Sequence, residues 1–272
     1  MTTTHAMKLI AMLGLSIVLT ENHARAFALS QYKWPQAQLG DVVTLTYSYS
    51  NLFDGGLLDS NEQSVPVGLL RASVEEAFSL WAAVAPLHFI EVSDAGPPAS
   101  DASYFGTGLP QIRIGHHPID GFGNAKAHAY YPFQNGGEAA GDVHFDDLDR
   151  WQEIGTLTFP DVLGAAAHEL GHALGLDHSA DSQAVMFPIF QRRQGPGSGL
   201  LTSDDIAGIQ AIYGSGIGSV SPIPEPSSAI LIMAGLAFVA RRRSIAGNDR
   251  PAPRPSAARR STNCKCLLRL FS

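Results

Sequence analysis

Residues 168–178 read His-Glu-Leu-Gly-His-Ala-Leu-Gly-Leu-Asp-His and constrain this 272-residue chain more than any other stretch. Residues four apart on a helix project from the same face, so His168 and His172 can both reach one ion. Glu169 sits one step round the helix, beside such an ion and not on it. Gly175 lets the chain leave the helix in a conformation other residues resist, and the turn brings His178 back as a third ligand. Three imidazoles suit zinc. With three protein ligands, zinc keeps a fourth position open and lowers the pKa of a water there to about 7, and Glu169 is placed to take that water's proton.

The flanking pattern predicts a mixed domain. Residues 42–49 (Val-Val-Thr-Leu-Thr-Tyr-Ser-Tyr) alternate and are rich in β-formers, so they read as a strand. Val74, Ala77, Phe78, Trp81 and Val84 recur at helical spacing within 65–85, and Pro86 stops the run. Short strands are expected at 87–92, 111–114, 126–131 and 142–145, and a Gly-, Pro- and Ser-rich loop at 94–110. A second helix is expected over 160–174. A third is expected over 203–213, with Ser203 as N-cap and Asp204 and Asp205 in its first turn. Three helices among about five strands predict an α+β (mixed α/β) domain over residues ~30–214.

Charge divides the chain. Residues 1–240 hold nine basic and 24 acidic residues, whereas the remainder holds nine basic residues and one acidic, Asp249. An acidic body argues against nucleic acid as a partner, because such binding is driven by phosphate neutralisation. Both cysteines, Cys264 and Cys266, lie in the basic tail, so the body has no disulfide, thiolate ligand or cysteine nucleophile. At the N-terminus, Lys8 precedes an apolar run over 9–19, and Ala24-Arg25-Ala26 offers a small-x-small cleavage site before Phe27. That layout predicts a signal peptide at 1–26 and a secreted protein.

The segment 168–178 matches H-E-x-x-H-x-x-G-x-x-H and resembles the metzincin zinc peptidases. Ser179 after the third histidine makes it similar to the matrixins, the matrix-metalloproteinase-like branch. Met186, in Ala-Val-Met-Phe-Pro at 184–188, fits that family's Met-turn, and Pro188 then forms part of the specificity-pocket wall. Gly164 and residues 191–200 would also shape that pocket. The similarity extends to 74–92 and to 201–214. The resemblance implies a zincin-like fold, a twisted five-stranded mixed sheet with three helices, and a catalytic domain over 27–214. It implies a monomeric zinc metalloendopeptidase with catalytic zinc on His168, His172 and His178 and Glu169 as general base and acid. Protein or peptide substrates would lie along an edge strand.

A second ligand-rich region lies within 115–149. Asp120, Gly121, Gly123, His128, Asp142, His144, Asp146, Asp147 and Asp149 concentrate donors there, and alternation on a strand puts Asp142, His144 and Asp146 on one face. Histidine suits zinc, whereas carboxylates with glycine carbonyls suit calcium. Matrixins carry a structural zinc on three His and one Asp, with a structural Ca2+ beside it. The resemblance implies His128, His144 and either His116 or His117 for the second Zn2+. It implies Asp120, Asp146 and Asp149, with carbonyls of Gly121 and Gly123, for Ca2+. The family's H-x-D is absent here, where Gly-His-His-Pro-Ile-Asp stands at 115–120. The free propeptide cysteine that keeps matrixins latent is also absent, so no cysteine switch is expected.

Beyond Tyr213 the composition changes. Residues 215–221 read as a Gly/Ser linker. Residues 222–243 (Pro-rich, with Pro224-Glu225-Pro226, an apolar run and Arg241-Arg242-Arg243) resemble a PEP-CTERM sorting signal. That resemblance implies membrane anchoring or sorting by an exosortase-type system, at the cell surface or extracellular matrix of a Gram-negative bacterium. The apolar run is shorter than the ~20 residues that normally span a bilayer. Residues 244–272 read as a basic, disordered tail. The alternative to a peptidase is a metal-binding surface protein of the same fold without turnover, and the presence of Glu169 argues for the enzyme.

Overall fold

Val43, Leu45 and Tyr47 alternate with polar neighbours and are buried, so one face of β2 (Val43–Tyr49), an inner strand of the sheet, packs on the core. In the computed structural model, residues 25–100, 109–132, 139–151, 161–189 and 201–223 are described. On either side of β2 run β3 (Leu87–Glu91) and β4 (Ile112–His117), both parallel to it. β6 (Val143–Asp146) continues the sheet parallel to β4, and β5 (Ala127–Ala129) closes that side as an antiparallel edge strand. A two-stranded pairing of β1 (Ala28–Leu29) with β7 (Leu176–Asp177) stands apart.

The five expected strands are present, and a sixth joins them. β8 (Ser219–Ser221) pairs parallel with β3, so the strand order is β5-β6-β4-β2-β3-β8. The segment read as a linker is therefore part of the folded unit, which runs to Ile223. Two contacts hold it. The Gly218 amide donates to the Ala82 carbonyl at 2.6 Å, and the Ile223 amide donates to the Glu91 carboxylate at 3.0 Å. Glu91 is itself buried against Arg71, at 2.9 Å.

Helix α1 (Val67–Ala82) buries Leu70, Val74, Ala77, Phe78 and Trp81, an i, i+4, i+7 stripe that covers the sheet. Trp81, fully buried, also donates its indole N–H to the Ala167 carbonyl of α2 (Val162–Ala173) at 3.0 Å. The packing outweighs the hydrogen bond: losing a buried tryptophan side chain costs about 3–5 kcal/mol, against about 1 for a typical hydrogen bond. Asp161 caps α2 by accepting the Gly164 amide. Helix α3 (Ser203–Tyr213) starts one residue earlier than expected in its capping. Thr202, not Ser203, is the N-cap, and its hydroxyl forms a reciprocal box with Asp205.

The expected signal peptide through residue 24, the sorting segment and tail from 224 onward, and the pocket-shaping stretch 191–200 lie outside the described residues. None of the described helices is long and apolar enough to cross a membrane.

A Cβ at Gly218 would lie 1.8 Å from the Leu87 carbonyl oxygen. Gly218→Ala should therefore lift β8 from the sheet and lower the unfolding free energy by about 2 kcal/mol in urea denaturation. An unchanged midpoint would mean that β8 does not dock against β3.

Candidate metal centre and cleft

Helix α2 ends where the sequence places its turn. Gly175 adopts φ +103°, and a side chain there would strike the Tyr32 carbonyl at 2.4 Å. The carbonyls freed at the helix end find donors in the core. The Tyr213 hydroxyl donates to Leu174 at 2.7 Å, and the Trp34 indole donates to Ala173 at 2.9 Å. This anchored reversal sends β7 back along the helix and carries His178 toward His172.

The three imidazoles converge. Nε2 of His172 lies 3.2 Å from Nε2 of His168 and 3.3 Å from Nε2 of His178. An ion bound tetrahedrally at about 2.0–2.1 Å needs ligand atoms roughly 3.3–3.4 Å apart, so the set fits zinc without rearrangement. Backbone carbonyls fix the ring orientation. His168 Nδ1 donates to Val185 at 2.6 Å and His172 Nδ1 donates to Leu176 at 2.9 Å. A carbonyl only accepts, so each Nδ1 carries the hydrogen and each Nε2 keeps its lone pair for a metal.

Burial holds the His172 imidazole down to about 3, with His168 beside it adding to the effect, so the ring is neutral and able to ligate. Burial alone pushes the Glu169 carboxyl up to about 8 in the metal-free chain. A dication on the adjacent imidazoles would oppose that shift and favour the carboxylate.

Met186 lies under the helix, buried, with its sulfur against Gly171; a Cβ at Gly171 would meet that sulfur at 2.2 Å. The backbone of this turn is clamped by Asp205 of α3, whose carboxylate accepts from the Val185 amide at 2.9 Å and the Met186 amide at 3.0 Å. In the sequence Asp205 reads only as a first-turn acid. The Thr202–Asp205 capping box was its one local signal. Asp204 plays a parallel part, accepting from the Ser179 hydroxyl at 2.6 Å and from the Ala26 and Phe27 amides.

Edge strand β5 and the histidine triad share a cleft of about 810 Å³, also bordered by Pro188 and Ile189. Behind β5 a second histidine cluster forms. Nδ1 of His144 lies 3.2 Å from Nε2 of His117 and 3.0 Å from Nε2 of His128. These spacings also suit a tetrahedral ion. Burial first, then the neighbouring His128 and His117, holds His144 down to about 3.

The strand alternation decides between the two adjacent histidines of β4. His117 joins this cluster, and His116 points the other way, between Asp54 at 2.7 Å and Asp147 at 3.1 Å. Asp142 does not join either. Its carboxylate accepts the Arg113 amide at 2.9 Å instead. The acids expected for calcium are likewise not gathered. Among the described residues only the two histidine triads bring three ligand atoms within 4.8 Å of one another.

These shifts set a pH dependence for the metal-stripped chain. His172 and His144, held at about 3, stay unprotonated when the unfolded chain takes up protons, so stability falls as pH falls below about 6.5. Glu169, raised to about 8, keeps a proton that the unfolded chain lacks, so stability falls as pH rises toward that value. Below about 6.5 the two histidines outweigh the one carboxyl, and above it the carboxyl acts alone. Urea unfolding after chelation should show maximal stability near pH ~6.5. A steady rise through pH 8 would contradict the burial of Glu169.

Comparison with known proteins agrees with this geometry. Interstitial collagenase of Sus scrofa is 41% identical over 155 residues, covering 55% of this chain and 29% of that protein. Stromelysin-1 of Equus caballus is 37% identical over 153 residues, covering 56% and 30%. Matrix metalloproteinase-C of Caenorhabditis elegans is 35% identical over 207 residues, covering 71% and 30%. The chain spans under a third of the length of these relatives. Residues 56–214 match the family pattern described as Matrixin, more than half of the 272 residues, and the chain belongs to the matrixin family.

Proposed function

We propose that this chain is a secreted or surface-associated zinc metalloendopeptidase that hydrolyses protein or peptide substrates. The observation that carries the reading is the convergence of three Nε2 atoms, two on the helix that bears the buried Glu169 and one, His178, from beyond its turn, with His172 3.2 Å and 3.3 Å from the other two, opening on a cleft beside an edge strand. His168, His172 and His178 would hold zinc, which when bound supplies Lewis acidity toward water and the scissile carbonyl. Glu169 accepts the proton of the attacking water and returns it to the leaving amine. β5 offers its outer edge to an extended substrate, which adds to the sheet as a further strand. Pro188, at the cleft wall, borders the side chain that follows the scissile bond, and Met186 supports the ligands from below.

His117, His128 and His144 are proposed to hold a second, structural zinc that ties β4, β5 and β6 together. No carboxylate among the described residues completes this set, unlike the family pattern. Secretion by a cleaved signal at 1–26 and sorting through 222–243 rest on the sequence pattern alone, as does the monomeric state.

Two measurements test the reading. Casein or gelatin cleavage by the purified chain should be abolished by a zinc chelator and restored by zinc. Glu169→Gln should keep its zinc but lose about 10²–10⁴-fold in kcat/KM. Full cleavage by that variant would remove Glu169 from the chemistry, and a zinc-loaded chain inert on every peptide would favour the surface-protein alternative. Metal analysis should give two zinc ions per chain, falling to one in His144→Ala. One zinc in the unaltered chain would remove the second site.

A further inference from the structure

The loop over 120–126 leads directly into β5 and borders the cleft, and its charge balance departs from what a calcium loop requires. Asp149 is 2% exposed. Its Oδ1 accepts from Lys126 Nζ at 2.8 Å and from the Gly123 amide at 3.0 Å. Its Oδ2 is buried and accepts no hydrogen bond. An ionised carboxylate in that setting needs a cation, because one amide donor does not offset its lost hydration.

Lys126 is the cation the chain itself provides. Its ammonium lies 6.0 Å from the centre of the Phe122 ring, and its side chain is 24% exposed, so the stem is partly covered while the head faces Asp149. The other acids of the loop are occupied elsewhere. Asp120 accepts the Ala125 amide at 3.1 Å, and Asp146 accepts the Leu148 amide at 2.9 Å and the Ile119 amide at 3.3 Å. Calcium needs six to eight oxygens around one point, and among the described residues the carboxylates of Asp120, Asp146 and Asp149 do not converge on one.

We infer that Lys126 is a built-in cation for this loop: its ammonium closes the loop onto Asp149 with no ion present and competes with calcium for that carboxylate. A tethered ammonium acts at high effective concentration, and a divalent ion that reaches Asp149 must first expel it. The loop, and the edge strand that follows it, would therefore keep their shape in calcium-poor surroundings.

The test uses the full chain with zinc held constant, comparing thermal unfolding with and without millimolar calcium, and calcium titration by calorimetry. The unaltered chain should shift by less than about 1 °C on adding calcium. Lys126→Met should melt about 4–8 °C lower in calcium-free buffer, recover most of that loss with calcium, and bind calcium at least about tenfold more tightly. Lys126→Arg should behave as the unaltered chain. The inference is overturned if calcium raises the midpoint of the unaltered chain as much as that of Lys126→Met, or if Lys126→Met melts unchanged without calcium. Should Lys126→Met fail to fold, the calcium response of the unaltered chain and of Lys126→Arg still decides.

Discussion

Everything at the candidate centre depends on the reversal of the chain at Gly175. A helix can offer two imidazoles to one point, but not three at tetrahedral angles. The third must come from outside the helix axis. The positive φ of Gly175 turns the backbone within three residues, and the Leu176 carbonyl that follows at once accepts the His172 Nδ1 hydrogen. One turn thus delivers His178 and orients His172. The same reversal exposes carbonyls at the helix end, and the core answers with Trp34 and Tyr213. Leaving those groups unpaired would cost about 1–3 kcal/mol each, comparable with much of a domain's net stability.

From this anchor the support spreads outward. The Val185 carbonyl orients His168, and the backbone on either side of it is fixed by Asp205, which is itself locked into the cap of α3. Trp81 ties α1 to the stretch of α2 just before His168. The sheet enters the site through β5 alone. Among the described residues its outer edge has no partner strand, and it lies beside the triad. A peptide laid there would meet backbone donors and acceptors on one side and the three histidines on the other.

The histidine triad, Glu169 and the glycine turn were legible because their chemistry is set by spacing within eleven residues. The five main strands and three helices were legible from hydrophobic period. What escaped were features decided by distant partners. Asp205 reads locally as a helix-start acid, and only the folded chain shows it holding the turn at Met186. β8 is three residues of Ser-Val-Ser, too short and polar to signal a strand before β3 presents its edge. The choice between His116 and His117 turned on which face of β4 looks toward His144, a matter of register. Lys126 was invisible as a ligand for Asp149 because 23 residues and a strand reversal separate them.

The family pattern was followed closely where chemistry is done and loosely where ions only brace the fold. The triad proposed for the catalytic zinc, His168, His172 and His178, brings all three ligand atoms together. The second cluster has three histidines without the expected aspartate, and the loop read for calcium has a lysine on its buried acid. The most direct test of the central claim is zinc-edge anomalous diffraction from crystals of the chain. The account predicts an ion about 2.0–2.1 Å from Nε2 of His168, His172 and His178, with a fourth position facing the cleft beside Glu169. Absence of an anomalous peak there, or ligation through Nδ1 of His168 or His172, would contradict it.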